Sequence, residues 1–133
     1  MTKLSLAFRA MGAQFSPGQV EQGSGALFSE KNEPGDIART GRYRGQPLPY
    51  GSAEIRDADT PMTLSAGQSP FIDAVARVAA ACRSAGATSL VVHADVAYYG
   101  QCNFELSENC IARLAALGVA LTFTCFEDNA MRE

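Results

Sequence analysis

From Ser89 to Tyr99 the chain alternates between two sets of side chains, with Leu90, Val92, Ala94, Val96 and Tyr98 on one side and Val91, His93, Asp95, Ala97 and Tyr99 on the other. That is the period of a long β-strand. A strand of this length needs neighbours, and the sequence supplies them. Leu4, Leu6 and Phe8 alternate with Lys3, Ser5, Ala7 and Arg9, Ala53 and Ile55 alternate with Ser52 and Glu54, and Val119, Leu121, Phe123 and Cys125 alternate with Ala120, Thr122, Thr124 and Phe126. Each segment reads as a strand. Ala26 to Ser29 reads as a further, brief one, and Asp57-Ala58-Asp59-Thr60-Pro61 as a turn.

Helical signals fall between these strands. Ser16-Pro17 offers an N-cap and an N1 proline, predicting a short helix from Pro17 to about Gln22 that Gly23 and Gly25 end. Ser69-Pro70 repeats the signature, and Phe71, Val75, Val78 and Cys82 form one apolar stripe of a helix that runs to about Ser84, with Gly86 as its stop. The third helix starts at a Ser107 cap with Glu108 in its first turn, buries Ile111, Leu114, Ala115 and Leu117, and stops at Gly118. This order predicts an α+β fold, a two-layer sandwich with a mostly antiparallel sheet of about five strands and the helices packed on one face. With 133 residues, 47% of them hydrophobic, a single domain spanning 1–133 can bury roughly two-thirds of its unfolded surface and needs neither a metal nor disulfides to hold it.

Composition narrows the partners. Eleven Lys and Arg against fourteen Asp and Glu leave a net charge of -3, which argues against general binding to nucleic-acid phosphates. No run is long and apolar enough to cross a bilayer, and no charged n-region plus apolar h-region suggests a signal peptide, so no membrane and a cytoplasmic location are the expectations. Cys82, Cys102, Cys110 and Cys125 are then expected as free thiols. They contain no C-x-x-C pair, and His93 is the single histidine, so no metal and no cofactor are expected. Cys110 falls in a first helical turn, where amide dipoles favour a thiolate, but it shares a face with Leu114 and Leu117 and reads as a packed thiol.

The run Tyr98-Tyr99-Gly100-Gln101-Cys102-Asn103-Phe104-Glu105-Leu106-Ser107, followed by Ile111 to Leu121 with its Leu114-Ala115-Ala116-Leu117-Gly118 phrase, resembles the small bacterial domains of the domain-of-unknown-function family forty-two seventy-nine. A looser similarity covers Leu4 to Gly45, including Ser16-Pro17 and Gly41-Arg42-Tyr43-Arg44-Gly45; Pro49-Tyr50 stands where that family suggests a Trp. The resemblance implies an α+β domain and carries no activity or catalytic residue with it.

Three constellations remain. His93 and Asp95 share a strand face with Tyr99, and an imidazole beside a carboxylate suits general base work, with Cys102 or Ser107 as a nearby nucleophile; the same pair also suits an ordinary polar sheet surface. The segment Lys31 to Pro49 reads as a long, mobile loop, and Arg39, Arg42, Tyr43, Arg44 and Tyr50 place three guanidinium forks and two phenol rings along it. It reads equally as a binding site or a solvated connection. The acidic group of Glu105, Glu108, Glu127, Asp128 and Glu133 gathers at one end of the domain if the last helix and strand pack as expected, giving either a surface for a basic partner or a solvated face. No G-x-S-x-G, P-loop or H-E-x-x-H is present.

The leading expectation is a small bacterial interaction protein, most concretely an antitoxin-like immunity protein that binds a protein partner, a toxin effector, through Arg39, Arg42, Tyr43, Arg44, Tyr50, Glu105 and Glu108. The alternative is a small-molecule or nucleotide-binding domain, or an enzyme, in which Arg42 and Arg44 hold an anion and His93 and Asp95 exchange protons. Because open antiparallel sheets leave unpaired edges, a homodimer by edge-strand pairing is a third expectation.

Overall fold

A computed structural model describes residues 2–25, 28–56 and 70–132. Its elements are β1 (Thr2–Gly12), α1 (Pro17–Ser24), β2 (Glu30–Asn32), β3 (Gly51–Arg56), α2 (Pro70–Ser84), β4 (Ser89–Tyr98), α3 (Glu108–Leu117), β5 (Ala120–Glu127) and a 3-10 turn, Asn129–Met131. The five strands form one sheet in the order β2-β3-β1-β4-β5, antiparallel except that β4 and β5 run parallel. The α+β class is as expected. The parallel pair follows from connectivity: α3 lies between β4 and β5 and carries the chain back across the sheet, the length a parallel crossover requires. The short second strand forms at Glu30–Asn32 rather than at 26–29, where Phe28 and Ser29 are not in a strand. Ala26 and Leu27, the 57–61 turn and Ser69 lie outside the described residues.

The alternation seen in the sequence sets the two faces. Leu4, Leu6, Phe8 and Ala10 of β1 and Leu90, Val92, Ala94 and Val96 of β4 are buried, and they stand directly opposite one another in the antiparallel register. Phe71, Val75, Val78 and Cys82 of α2 cover them as one stripe, joined by Val20 of α1 and by Cys110 and Leu114 of α3. The stripe expected on α3 is narrower in the structure. Ile111 is 51% exposed and Ala115 is exposed, because the helix seats only Cys110, Leu114 and the half-buried Leu117 on the core and turns the next flank outward. The expected period-two burial of β5 fails for a related reason: it is an edge strand, α3 covers no more than its start, and only Leu121 is half-buried.

The helix ends follow local chemistry. Ser107 Oγ accepts a hydrogen bond from the Cys110 amide at 3.1 Å, and Gly118 ends α3 in the left-handed region at φ +68°. Arg83 then forks onto the open carbonyls of Leu117 at 2.8 Å and Gly118 at 2.9 Å, tying α2 to the end of α3. Helix α1 runs through Gly23 to Ser24, further than expected. Its Ser16 makes no side-chain cap bond. Ser16 Oγ donates instead to Glu33 Oε1 at 3.1 Å, and the Gly18 amide donates to the same oxygen at 2.9 Å. A carboxylate from a later segment thus caps the positive helix end.

Three glycines meet at the corner after β1. A Cβ on Gly12 would lie 2.4 Å from the Gly86 carbonyl oxygen, one on Gly51 would lie 1.9 Å from the Phe15 carbonyl oxygen, and one on Gly86 would lie 2.6 Å from the Gln14 carbonyl oxygen. The backbone segments touch there with no room for side chains. Phe15, fully buried, anchors the same corner.

Lys31 of β2 and Glu21 of α1 form an ion pair that ties the sheet edge to the helix. The hydrogen bond from Lys31 holds the Glu21 carboxyl below its ordinary value of 4.5. A carboxyl depressed in the folded state adds stability that is present above that ordinary value and lost as pH falls through the lower folded one. Melting temperatures of the native protein and of Glu21→Gln should therefore differ at neutral pH and converge as the pH is taken below 4.5. A gap that persists unchanged in strong acid would show that the ion pair contributes nothing.

Candidate functional site

The segment expected as a long mobile loop is folded. Backbone bonds form a short ladder, with Gly35 N–H donating to Leu48 O and Leu48 N–H to Asp36 O, both at 2.8 Å, and Ala38 N–H to Gln46 O at 3.0 Å. Isolated bridges join Ile37 to Pro47 and Ala38 to Arg44. Gly41 at φ +80° and Gly45 at φ +79° make the bends that close this ladder, a conformation that L side chains rarely take. Tyr43 and Tyr50 stack edge to face with centroids 6.2 Å apart, and the Arg42 guanidinium lies 5.5 Å above the Tyr43 ring. The arginines and tyrosines expected to bind a partner therefore project from a fixed scaffold.

Between this ladder and the edge of β2 runs a cleft of about 510 Å³. Arg39 and Tyr50 line it, together with residues that sequence reasoning did not single out: Glu30, Lys31, Asn32, Asp36, Ile37, Ala38, Thr40 and Leu48. Ile37 is 60% exposed, and a lone isoleucine set among Gly, Pro and Asp was the available signal. The charges along Glu30-Lys31-Asn32 carry no period and gave none. Arg42, Tyr43 and Arg44 stand outside the cleft, with Arg42 and Arg44 exposed.

His93 and Asp95 lie on the open sheet face, as their spacing predicts. His93 Nδ1 lies 2.6 Å from Thr122 Oγ1, and Nε2 lies 3.1 Å from Thr124 Oγ1 and 3.3 Å from Asp95 Oδ1. Both hydroxyls belong to β5, so the imidazole bridges the parallel pair. A shallow depression of about 150 Å³ beside it is lined by Ala7, Arg9, Met11, Ser89, Val91, His93 and Thr122. Tyr99 follows β4 at its end. The Arg39–Tyr50 segment sits beyond β2, three strands away from β4, roughly 14 Å across the sheet at the usual strand spacing. Neither depression joins His93 and Asp95 to Arg42 and Arg44. Because the ring is partly exposed and its bonds are made at the surface, His93→Ala should cost no more than about 1 kcal/mol in chemical denaturation; a loss of several times that would place the ring in a buried network.

A carboxylate on the same face is less exposed. Glu54 is 6% exposed, flanked by Arg56 Nε at 2.8 Å from Oε1 and Arg9 Nη2 at 3.9 Å from Oε2. No N–H is aimed at Oε1, so the charges attract without a directed hydrogen bond.

The chain runs up β4, back down α3 and up β5, so Glu105 and Glu108 fall at the same end of the sheet as Glu127 and Asp128. Glu105 and Glu108 are exposed, and Glu133 lies outside the described residues. Glu108 also stands in the first turn of α3, where its charge favours the helix. The basic and acidic patches occupy opposite edges of the sheet. The four cysteines are free. Burial pushes the Cys82 thiol up to about 11 and raises that of Cys110, so the helix start yields no thiolate and Cys110 is a packed thiol. Among the described residues no group of three or more His, Cys, Asp or Glu side chains is placed to hold a metal ion, and no helix is long and apolar enough to cross a membrane.

Compared with protein-family models, curated proteins and solved structures, the chain gives no match.

Proposed function

We propose that this protein is a small interaction protein that recognises another protein through the cleft between β2 and the 35–48 ladder. The carrying observation is that cleft itself, where an exposed Ile37 stands among Lys31, Arg39 and Tyr50. An apolar anchor ringed by Arg and Tyr is the composition of interface hot spots, and a ladder already ordered by its own backbone bonds loses little entropy on binding. The finer reading is an immunity protein, related to the bacterial domains that residues 98–121 resemble, which occludes a cognate toxin in the cytoplasm. Such a protein acts by steric coverage and charge pairing and needs no perturbed catalytic group.

A cleft of about 510 Å³ is also of the size that small ligands fill, and Lys31 and Arg39 suit an anion such as a nucleotide phosphate. One experiment separates the two readings. Tagged protein is expressed in its native host, the captured partner is identified, and that partner is expressed alone and with this protein. The inhibitor reading expects growth arrest by the partner, rescue by co-expression, and loss of rescue with Ile37→Asp plus Arg39→Glu at an unchanged melting temperature. Arg42→Ala with Arg44→Ala, and Glu105→Ala with Glu108→Ala, show whether the flanking patches add to it. Full rescue by the Ile37/Arg39 variant would overturn the cleft, and a nucleotide-induced rise in melting temperature abolished by Lys31→Glu would favour the small-ligand reading.

A further inference from the structure

The two edges of the sheet are treated differently. At one edge β2 has three residues, Glu30, Lys31 and Asn32, with two charges among them and the 35–48 ladder alongside. Short length and charge are usual guards against strand addition. At the other edge β5 spans eight residues, Ala120–Glu127, with no charge or proline before Glu127. No strand among the described residues pairs with its outer side. Among the described residues the exposed large hydrophobics are Ile37, Phe104, Ile111, Phe123 and Phe126, and all but Ile37 belong to β5 or to the segment that crosses over to it. Phe104 packs on Phe123 with centroids 5.5 Å apart, yet both stay 40% exposed. Ile111 lies on α3 two residues before Arg113, which pairs with Asp73 of α2 at 2.6 Å. Two residues turn a helix by about 200°, so Ile111 faces away from α2 and toward the free edge.

We infer that β5 pairs antiparallel with β5 of a second copy of this chain, making one continuous sheet about a two-fold axis at Phe123. The sequence of the strand is complementary to itself in that register. Phe123 meets Phe123, Leu121 meets Cys125 and Ala120 meets Phe126, while Thr122 meets Thr124 on the open face. From Ala120 to Phe126 each opposed pair is apolar or hydroxyl to hydroxyl, the combinations that stabilise antiparallel neighbours, and Glu127 falls at the end of the seam beside Val119. Antiparallel pairing also sends the acidic ends of the two copies, with Glu105, Glu108, Glu127 and Asp128, to opposite ends of the joined sheet, where their repulsion is least. The two α3 helices then lie on one face with their Ile111 flanks turned toward the seam. Because the β2 edge is guarded, growth stops at two copies.

Sedimentation and light scattering from low micromolar to several hundred micromolar protein test the pairing. The native chain should reach twice its 14.1 kDa mass. Phe123→Lys and Phe123→Glu each set like charges against each other across the axis and should weaken the dimer by roughly a hundredfold. Mixing the two variants should restore a one-to-one dimer, a rescue that only this register explains. Phe126→Lys, on the open face and away from the Phe104 contact, serves if the Phe123 variants fail to fold, and it should weaken the dimer as well. A native chain monomeric throughout, a dimer indifferent to Phe126→Lys and to the Phe123 variants, or folded variants that do not combine when mixed would overturn the inference. Association that appears only with a different captured protein would assign the β5 edge to that partner instead.

Discussion

Replacing Gly51 by alanine is expected to remove most of the stability of this protein. The added Cβ would sit 1.9 Å from the Phe15 carbonyl oxygen and 2.9 Å from its carbon, and neither is a flexible side-chain tip. Gly51 pairs with Gly12 at the end of β1, and Gly12 in turn abuts Gly86. A shift at one position therefore moves β1, β3 and the turn after α2 together. Strain of this kind at a close backbone approach should cost more than about 3 kcal/mol, a large share of the marginal stability of a domain this size. Denaturant titration should show a lowered midpoint at a similar slope. Gly23→Ala is the control: its Cβ meets nothing within 4 Å, and in a helix that exchange should be neutral or stabilising. If Gly51→Ala lost under about 1 kcal/mol, the corner would be slack and the placement of β3 against Phe15 wrong.

The second large effect is expected at Phe8. Its side chain is fully buried at the middle of the central strand, with Ile55 of β3 opposite on one side and Val92 of β4 on the other. Truncation to alanine empties a volume that three packed elements cannot close, for which the typical cost is about 3–5 kcal/mol, on the order of 15 °C in melting temperature for a chain of this length. Ile111→Ala, although it removes a residue once expected in the core, should change the monomer's stability by less than about 0.5 kcal/mol. Equal losses at the two positions would mean that the outward flank of α3 is covered within one chain.

The contrast between these positions shows what the pattern of residues could reveal. Where two elements face each other across the core, periodicity sufficed: β1, β4 and the Phe71-Val75-Val78-Cys82 stripe of α2 were legible because burial selects one face of each. Caps were legible where the bond is local, as at Ser107 and Gly118. Ser16 looked like a cap but gives its hydroxyl to Glu33, a contact between distant segments that no local pattern encodes. The 35–48 ladder is built from backbone bonds between bends, so its side chains show no period and it read as a loop. Part of the cleft was visible through Arg39 and Tyr50; another part comes from β2, whose three residues are too few to display an alternation. Ile111 and β5 misled because an apolar residue at an unpartnered edge looks, in sequence, like one in the core. Gly12 and Gly51 carry no motif, and their role emerges only when three segments meet.

The place of β1 in the middle of the sheet has a consequence for synthesis. Its partners are β3 and β4, so β1 cannot complete its pairing until the chain has been made as far as Tyr98. At roughly 5–20 residues per second that is a delay of several seconds, during which Leu4, Leu6 and Phe8 have nowhere to hide.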